Sequence, residues 1–142
     1  MLNTLEKSAM QADHAAVEET LCDYLKNTGL LAERAYLDGE WISAANGATM
    51  TVHNPSDDTH LGDVPDLDVA MVTQSVDAAA TAFKAWSKTL PQERARKIRL
   101  WGELMLAERE DLALIMTLEQ GKPLKEALGE IDYAAGFLDW YA

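Results

Sequence analysis

Few side chains in this sequence carry reactive chemistry, and their spacing works against it. Cys22, in Thr-Leu-Cys-Asp, is the single thiol. A cysteine nucleophile needs a base and oxyanion donors beside it, and no string of that kind surrounds Cys22. It reads as a semi-buried structural thiol. One cysteine also excludes an internal disulfide and a Cys-rich zinc site. His14, His53 and His60 lack an i, i+4 ligand pair on a helix, so no metal centre is expected. Glu126 and Glu130 share a helix face at i, i+4, with Asp132 close by. Paired carboxylates can do acid–base work, but nothing in the sequence marks a cleft around these, and they read as surface charge. There is no Gly-x-Gly-x-x-Gly, and Gly121-Lys122-Pro123 lacks the spacing and the Ser or Thr of a phosphate loop. Arg94, Arg96, Lys97 and Arg99 cluster beside Glu93 and read as a solvated helix face.

The elements that would position these groups are clearer than the chemistry. Gly121 suits a left-handed helix C-cap, and Pro123 can start the next helix because its missing N–H costs nothing there. In that last helix Leu124, Leu128, Ile131, Ala135 and Leu138 recur at steps of three and four and make one face. Tyr133, Phe137 and Trp140 make a second face. A helix apolar on two sides is expected to lie between layers. Its pattern runs into Asp139-Trp140-Tyr141-Ala142 without Gly, Pro or a terminal base. Asp139 and a free carboxylate also oppose the dipole there, so the helix reads as cut short.

Upstream, Asp13 is a candidate N-cap for a helix with Glu18 and Glu19 in its early turns, a Val17, Leu21, Leu25 stripe, and Gly29 after Lys26 as its close. Ala35 to Ile42 reads as a hairpin with an Asp38-Gly39 turn. Thr49 to His53 and Leu61 to Val64 predict a second pair of strands around Asn54-Pro55. Asp66 is the candidate cap of a helix whose Val69, Val72, Val76, Phe83 and Trp86 share a face. Thr89 and Gln92 form a capping-box pattern for another, carrying Ala95, Ile98, Trp101 and Met105. A break near Glu108 to Asp111 precedes a helix with Leu112, Ile115 and Met116 inward. Trp86 and Trp101 are expected as core anchors.

With 142 residues the chain fits one domain. No run approaches the ~20 apolar residues of a membrane span. The first residues lack the pattern of a secretory signal or an Arg-rich transit peptide, which makes the cytoplasm the expected location. A net charge of −12 argues against nucleic acid or an anionic membrane as partner.

The run Met116 to Phe137, Met-Thr-Leu-Glu-Gln-Gly-Lys-Pro-Leu-Lys-Glu-Ala-Leu-Gly-Glu-Ile-Asp-Tyr-Ala-Ala-Gly-Phe, resembles the aldehyde dehydrogenase superfamily, the succinate-semialdehyde dehydrogenase branch above all. Gly39-Glu40-Trp41, Asn54-Pro55, Val64-Pro65, Ala82-Phe83 with Trp86, and Glu93-Arg94 precede it in family order. Asp58 stands where the family usually has Gly in its second hairpin turn. The resemblance runs from about Ala35 to Ala142 and covers the opening of a much longer family protein. It implies an α/β family fold, of which this chain is an N-terminal α+β fragment of the cofactor-binding domain, with short β-hairpins followed by about four helices. Residues 1–29 are then an extension and residues 30–142 the incomplete domain. The resemblance also implies a cysteine thiolate attacking an aldehyde, hydride transfer to NAD or NADP, and water-driven hydrolysis of the thioester. The family strings Gly-Gln before the Cys, Glu-Leu-Gly-Gly, Pro-Trp-Asn-Phe and Phe-Thr-Gly-Ser are absent here. This chain alone is therefore expected to be inactive and to bind no cofactor. Its partner would be the rest of the polypeptide, in a homodimer or homotetramer oxidising an aldehyde, most readily succinate semialdehyde. By resemblance, Tyr133 and Phe137 would line the aldehyde access tunnel. The alternative is a stand-alone helical interaction protein that binds a partner through its apolar C-terminal face.

Overall fold

The computed structural model describes residues 21–142. Asp13, His14, Val17, Glu18 and Glu19 lie outside the described residues. The chain first runs through helix α1 (Leu21–Tyr24) and a 3-10 turn (Thr28–Leu30). Gly29 thus lies within that turn instead of closing a long helix. The Asn27 side chain accepts from Gly29 N, a local bond that favours the tight turn over further helix.

Two antiparallel hairpins follow as separate two-stranded sheets. Strands β1 (Ala35–Leu37) and β2 (Glu40–Ile42) pair in the register Tyr36↔Trp41. Asp38 (φ 49°) and Gly39 (φ 91°) form the turn with two positive φ values that a tight hairpin needs. Strands β3 (Thr49–His53) and β4 (His60–Pro65) pair with Val52 opposite Gly62. Asp58 does occupy the left-handed region, at φ 63°, where a short polar side chain is tolerated.

Four helices complete the described chain: α2 (Val69–Trp86), α3 (Pro91–Ala107), α4 (Arg109–Gln120) and α5 (Leu124–Tyr141). Two expected caps are corrected. Asp68, not Asp66, caps α2, and its side chain accepts from Met71 N at 2.8 Å. The Thr89–Gln92 box does not form. Leu90 is the N-cap of α3 and Pro91 occupies its first turn, so the fixed proline φ replaces a side-chain cap. Thr89 Oγ1 instead donates to Ala85 O. The break falls at Glu108, which ends α3 and begins α4. Gly121 terminates α4 at φ 76°. A Cβ there would come within 3.0 Å of Pro55 Cγ, so the site demands glycine for its φ and for the close approach of the β3–β4 turn.

Helix α4 is the centre of the molecule. On one side Leu114, Ile115 and Leu118 pack on a cluster of Leu21, Leu25 and Leu61. On the other, Ala113 joins Ala127 and Ile131 of α5, with Leu112, Met116 and Leu128 around them. Polar contacts also tie residues 26 and 27 to the start of α4. Asn27 N donates to the buried carboxylate of Asp111 at 2.7 Å. Asn27 Nδ2 reaches Glu108 Oε1 at 2.9 Å, and Lys26 pairs with Glu110.

The expected core face of α2 and the two expected tryptophan anchors are corrected. Val69, Val72, Val76 and Phe83 of α2 are exposed. Its half-buried positions include Met71, Ser75 and Ala78, and Ser75 and Ala78 line a crevice with the β1–β2 turn. Trp101 is 60% exposed and Trp86 is partly open, so neither anchors a core. Periodicity identifies an apolar stripe, but a stripe is buried only where another layer covers it. Arg96, Lys97 and Arg99 of the basic cluster are exposed, as expected, and Arg94 is half-buried. Arg94 Nη1 donates to Thr89 O at 2.7 Å, Arg99 faces Asp139 at 3.5 Å, and Lys97 Nζ lies 5.8 Å from the Trp86 ring centroid.

Candidate functional site

Helix α5 holds the site because its periodicity separates two faces. Ala127, Ile131 and Ala135 are buried, and Leu138 is half-covered. A Cβ on Gly102 of α3 would meet Leu138 Cβ at 3.3 Å and Ala135 O at 3.6 Å. Small residues at this crossing let the two helix backbones approach closely. Leu124, expected on the buried face, is exposed at the first turn.

The opposite side carries an exposed groove lined by Asp132, Tyr133, Gly136, Phe137, Trp140 and Tyr141. Tyr133, Phe137 and Tyr141 stand one turn apart along one row, and Asp132, Gly136 and Trp140 along the next. The rings of Tyr133 and Phe137 meet edge to face, with centroids 4.7 Å apart and planes at 74°. This arrangement suits the aromatic quadrupoles, and the two rings together form an apolar wall. Gly136 leaves the floor between the rows without a side chain, and a Cβ there would meet nothing within 4 Å.

Asp132 is the acidic group of that groove. Arg109, the first residue of α4, donates Nε to Oδ1 at 2.5 Å and Nη2 to Oδ2 at 2.7 Å. This hydrogen-bonded fork holds the Asp132 carboxyl below its usual range, with burial opposing and the guanidinium charge assisting. Glu130, on the next residue but one, is paired with Lys122 Nζ at 2.6 Å. Glu126, Glu130 and Asp132 therefore form no paired acid–base device. Sequence spacing did not reveal the Arg109–Asp132 fork, because its partners sit 23 residues apart on different helices.

Elsewhere the candidates for chemistry stay apart. Cys22 is exposed on α1, a correction to the semi-buried thiol expected. The single short turn of α1 buries Leu21 and turns Cys22 outward. His53 and His60 face each other across the β3–β4 register with ring centroids 5.9 Å apart. Among the described residues no group of three His, Cys, Asp or Glu side chains could hold a metal ion. A cavity of about 380 Å³ between α1, β3–β4 and α4 is walled by Leu21, Leu31, Val52, Leu61 and Ile115. Glu33, Arg34, Asp63 and Glu119 also line it, but no thiol, hydroxyl, imidazole or amine side chain does. A dinucleotide cradle would need backbone N–H groups of a glycine-rich turn at a helix start. The starts of α2, α3, α4 and α5 carry Asp68, Leu90-Pro91, Glu108 and Pro123 instead. None of these four starts is a glycine-rich turn of that kind.

Compared with known proteins, residues 41–142 match the model of the aldehyde dehydrogenase family. The chain belongs to that family. It is 46% identical over 117 residues to the glutarate-semialdehyde dehydrogenase of Pseudomonas aeruginosa, covering 82% of this chain and 24% of that protein. It is 44% identical over 118 residues to the NADP(+) succinate-semialdehyde dehydrogenase of Escherichia coli, covering 83% and 24%. The crystal structure of succinate-semialdehyde dehydrogenase from Burkholderia pseudomallei superposes with a TM-score of 0.80 at 44% identity, over 82% of this chain and 24% of that one. The segment therefore spans about a quarter of the length of these relatives. Its strand pairs and helices correspond to the N-terminal portion of the aldehyde dehydrogenase fold, as the sequence resemblance implied. No described helix is long and apolar enough to cross a membrane.

Proposed function

We propose that this chain is the N-terminal portion of an NAD(P)-dependent aldehyde dehydrogenase that oxidises a semialdehyde to the carboxylate, succinate semialdehyde to succinate foremost. Residues 1–29 are its extension, and residues 30–142 open the cofactor-binding domain. Tyr133 and Phe137 line the access tunnel for the aldehyde. The observation that carries this reading is the edge-to-face pair on an open face of α5, in a chain matching enzymes named for glutarate and succinate semialdehydes. An apolar aromatic wall can guide a short aliphatic chain while leaving its polar ends to other groups.

The nucleophile, the base and the cofactor cradle belong to further parts of the dehydrogenase. In the complete protein NAD or NADP takes up the hydride, while the 142-residue chain binds neither. The complete protein is a cytoplasmic homodimer or homotetramer, with neither nucleic acid nor membrane as partner. The test is reduction of NAD(P) by succinate semialdehyde. The complete dehydrogenase should turn over, the 142-residue chain should not, and Tyr133→Ala or Phe137→Ala in the complete protein should raise KM. Turnover by the segment alone, or variants with unchanged KM, would overturn the reading.

A further inference from the structure

Asp132 places a carboxylate in the wall of the groove that holds Tyr133 and Phe137. An aldehyde carrying a carboxylate at its far end would meet like-charge repulsion there unless that charge were neutralised. Arg109 supplies the neutralising charge through two parallel hydrogen bonds, at 2.5 and 2.7 Å. A planar guanidinium makes this two-point contact, and an ammonium cannot. Both side chains keep part of their surface open, 35% for Arg109 and 50% for Asp132. An anion in the groove would therefore sense the pair and not a bare carboxylate. The fork also ties the start of α4 to the residue before Tyr133. Arg109 itself sits at an elbow secured by Asn27 on the buried Asp111.

We propose that Arg109 is a positioning residue of the aldehyde tunnel: it cancels the charge of Asp132, so that carboxylate-bearing semialdehydes are admitted. This rests on the tunnel reading given above. The test is steady-state kinetics of the complete dehydrogenase with succinate semialdehyde and with butanal, its neutral counterpart. Arg109→Gln should raise KM for succinate semialdehyde about three- to tenfold at low salt, with kcat within about twofold. The KM for butanal should change less than half as much. Arg109→Gln combined with Asp132→Asn should restore the KM for succinate semialdehyde, because no charge is left to cancel. Arg109→Lys keeps a cation without the fork and should retain most of the preference for the anionic aldehyde. Equal KM increases for both aldehydes, no recovery in the double variant, or loss of the preference in Arg109→Lys would each overturn the proposal. Tyr133→Ala and Phe137→Ala separate the two ideas. If they raise KM while Arg109→Gln does not, only the role of Arg109 falls. If they leave KM unchanged for both aldehydes, the tunnel reading falls and takes the proposal with it.

Discussion

Helix α5 carries two apolar faces that the molecule treats in opposite ways. Ala127 is wholly buried and Ile131 is 6% exposed, while Trp140, on the other side, is 81% exposed. The residue types follow this division. Small side chains sit where α3 and α4 press close, and large aromatic ones stand where no described residue covers them. Apolar content alone does not make a core. Burial of one face stabilises the fold by removing it from water, whereas the open aromatic face gains no such stabilisation from the described residues.

The largest expected effect that tests this contrast is on the closed face. Ile131→Ala should destabilise the segment by about 2–4 kcal/mol, since it removes buried methyl groups and leaves a cavity. Trp140→Ala should change stability by less than about 0.5 kcal/mol, as surface substitutions do. Urea unfolding of the two variants checks the difference, and equal losses would break the comparison. Next comes Gly102→Leu, which forces a side chain into the 3.3 Å gap at Leu138. It should cost about 1–3 kcal/mol through overpacking, read by the same unfolding experiment. Phe137→Ala removes the edge-to-face partner of Tyr133 and should cost only about 0.5 kcal/mol, although its expected effect on KM is large.

The smallest effect is electrostatic. Hydrogen bonds from Arg109 and Lys26 depress the carboxyl groups of Asp132 and Glu110. A depressed carboxyl contributes stability that is present above its unfolded pKa, near ~4, and is lost as pH falls through its folded value. Thermal melts should therefore shift slightly downward below about pH 4, and Arg109→Gln should flatten that dependence. Both pairs are exposed, so the effect should shrink further in high salt.

Much of the fold was legible in the chain, and the reasons are local. Asp38-Gly39 dictates its own turn, and Gly121 its own left-handed cap. The spacing of Leu128, Ile131, Ala135 and Leu138 marks a covered face whatever lies opposite. Legibility failed where a decision was distant or shared. Asp66 and Asp68 are equally good caps by type, and only the path of the chain leaving β4 brings the Asp68 carboxylate to Met71 N. The stripe on α2 is periodic, yet it is uncovered among the described residues. Tyr133 and Phe137 were visible as an aromatic pair through the resemblance, but their partner Asp132 read as mere surface charge.

By itself, the sequence determined the elements, most of their ends, the two-faced character of α5 and the family likeness, because caps, turns and periodicity act within a few residues. The tertiary structure alone decided which face is covered, where Lys26 and Asn27 attach and which charges pair. The bond from Asn27 to Asp111 spans 84 residues, and the Arg109–Asp132 fork joins two helices. Such contacts exist only after packing has brought distant backbone together, and no local propensity encodes them.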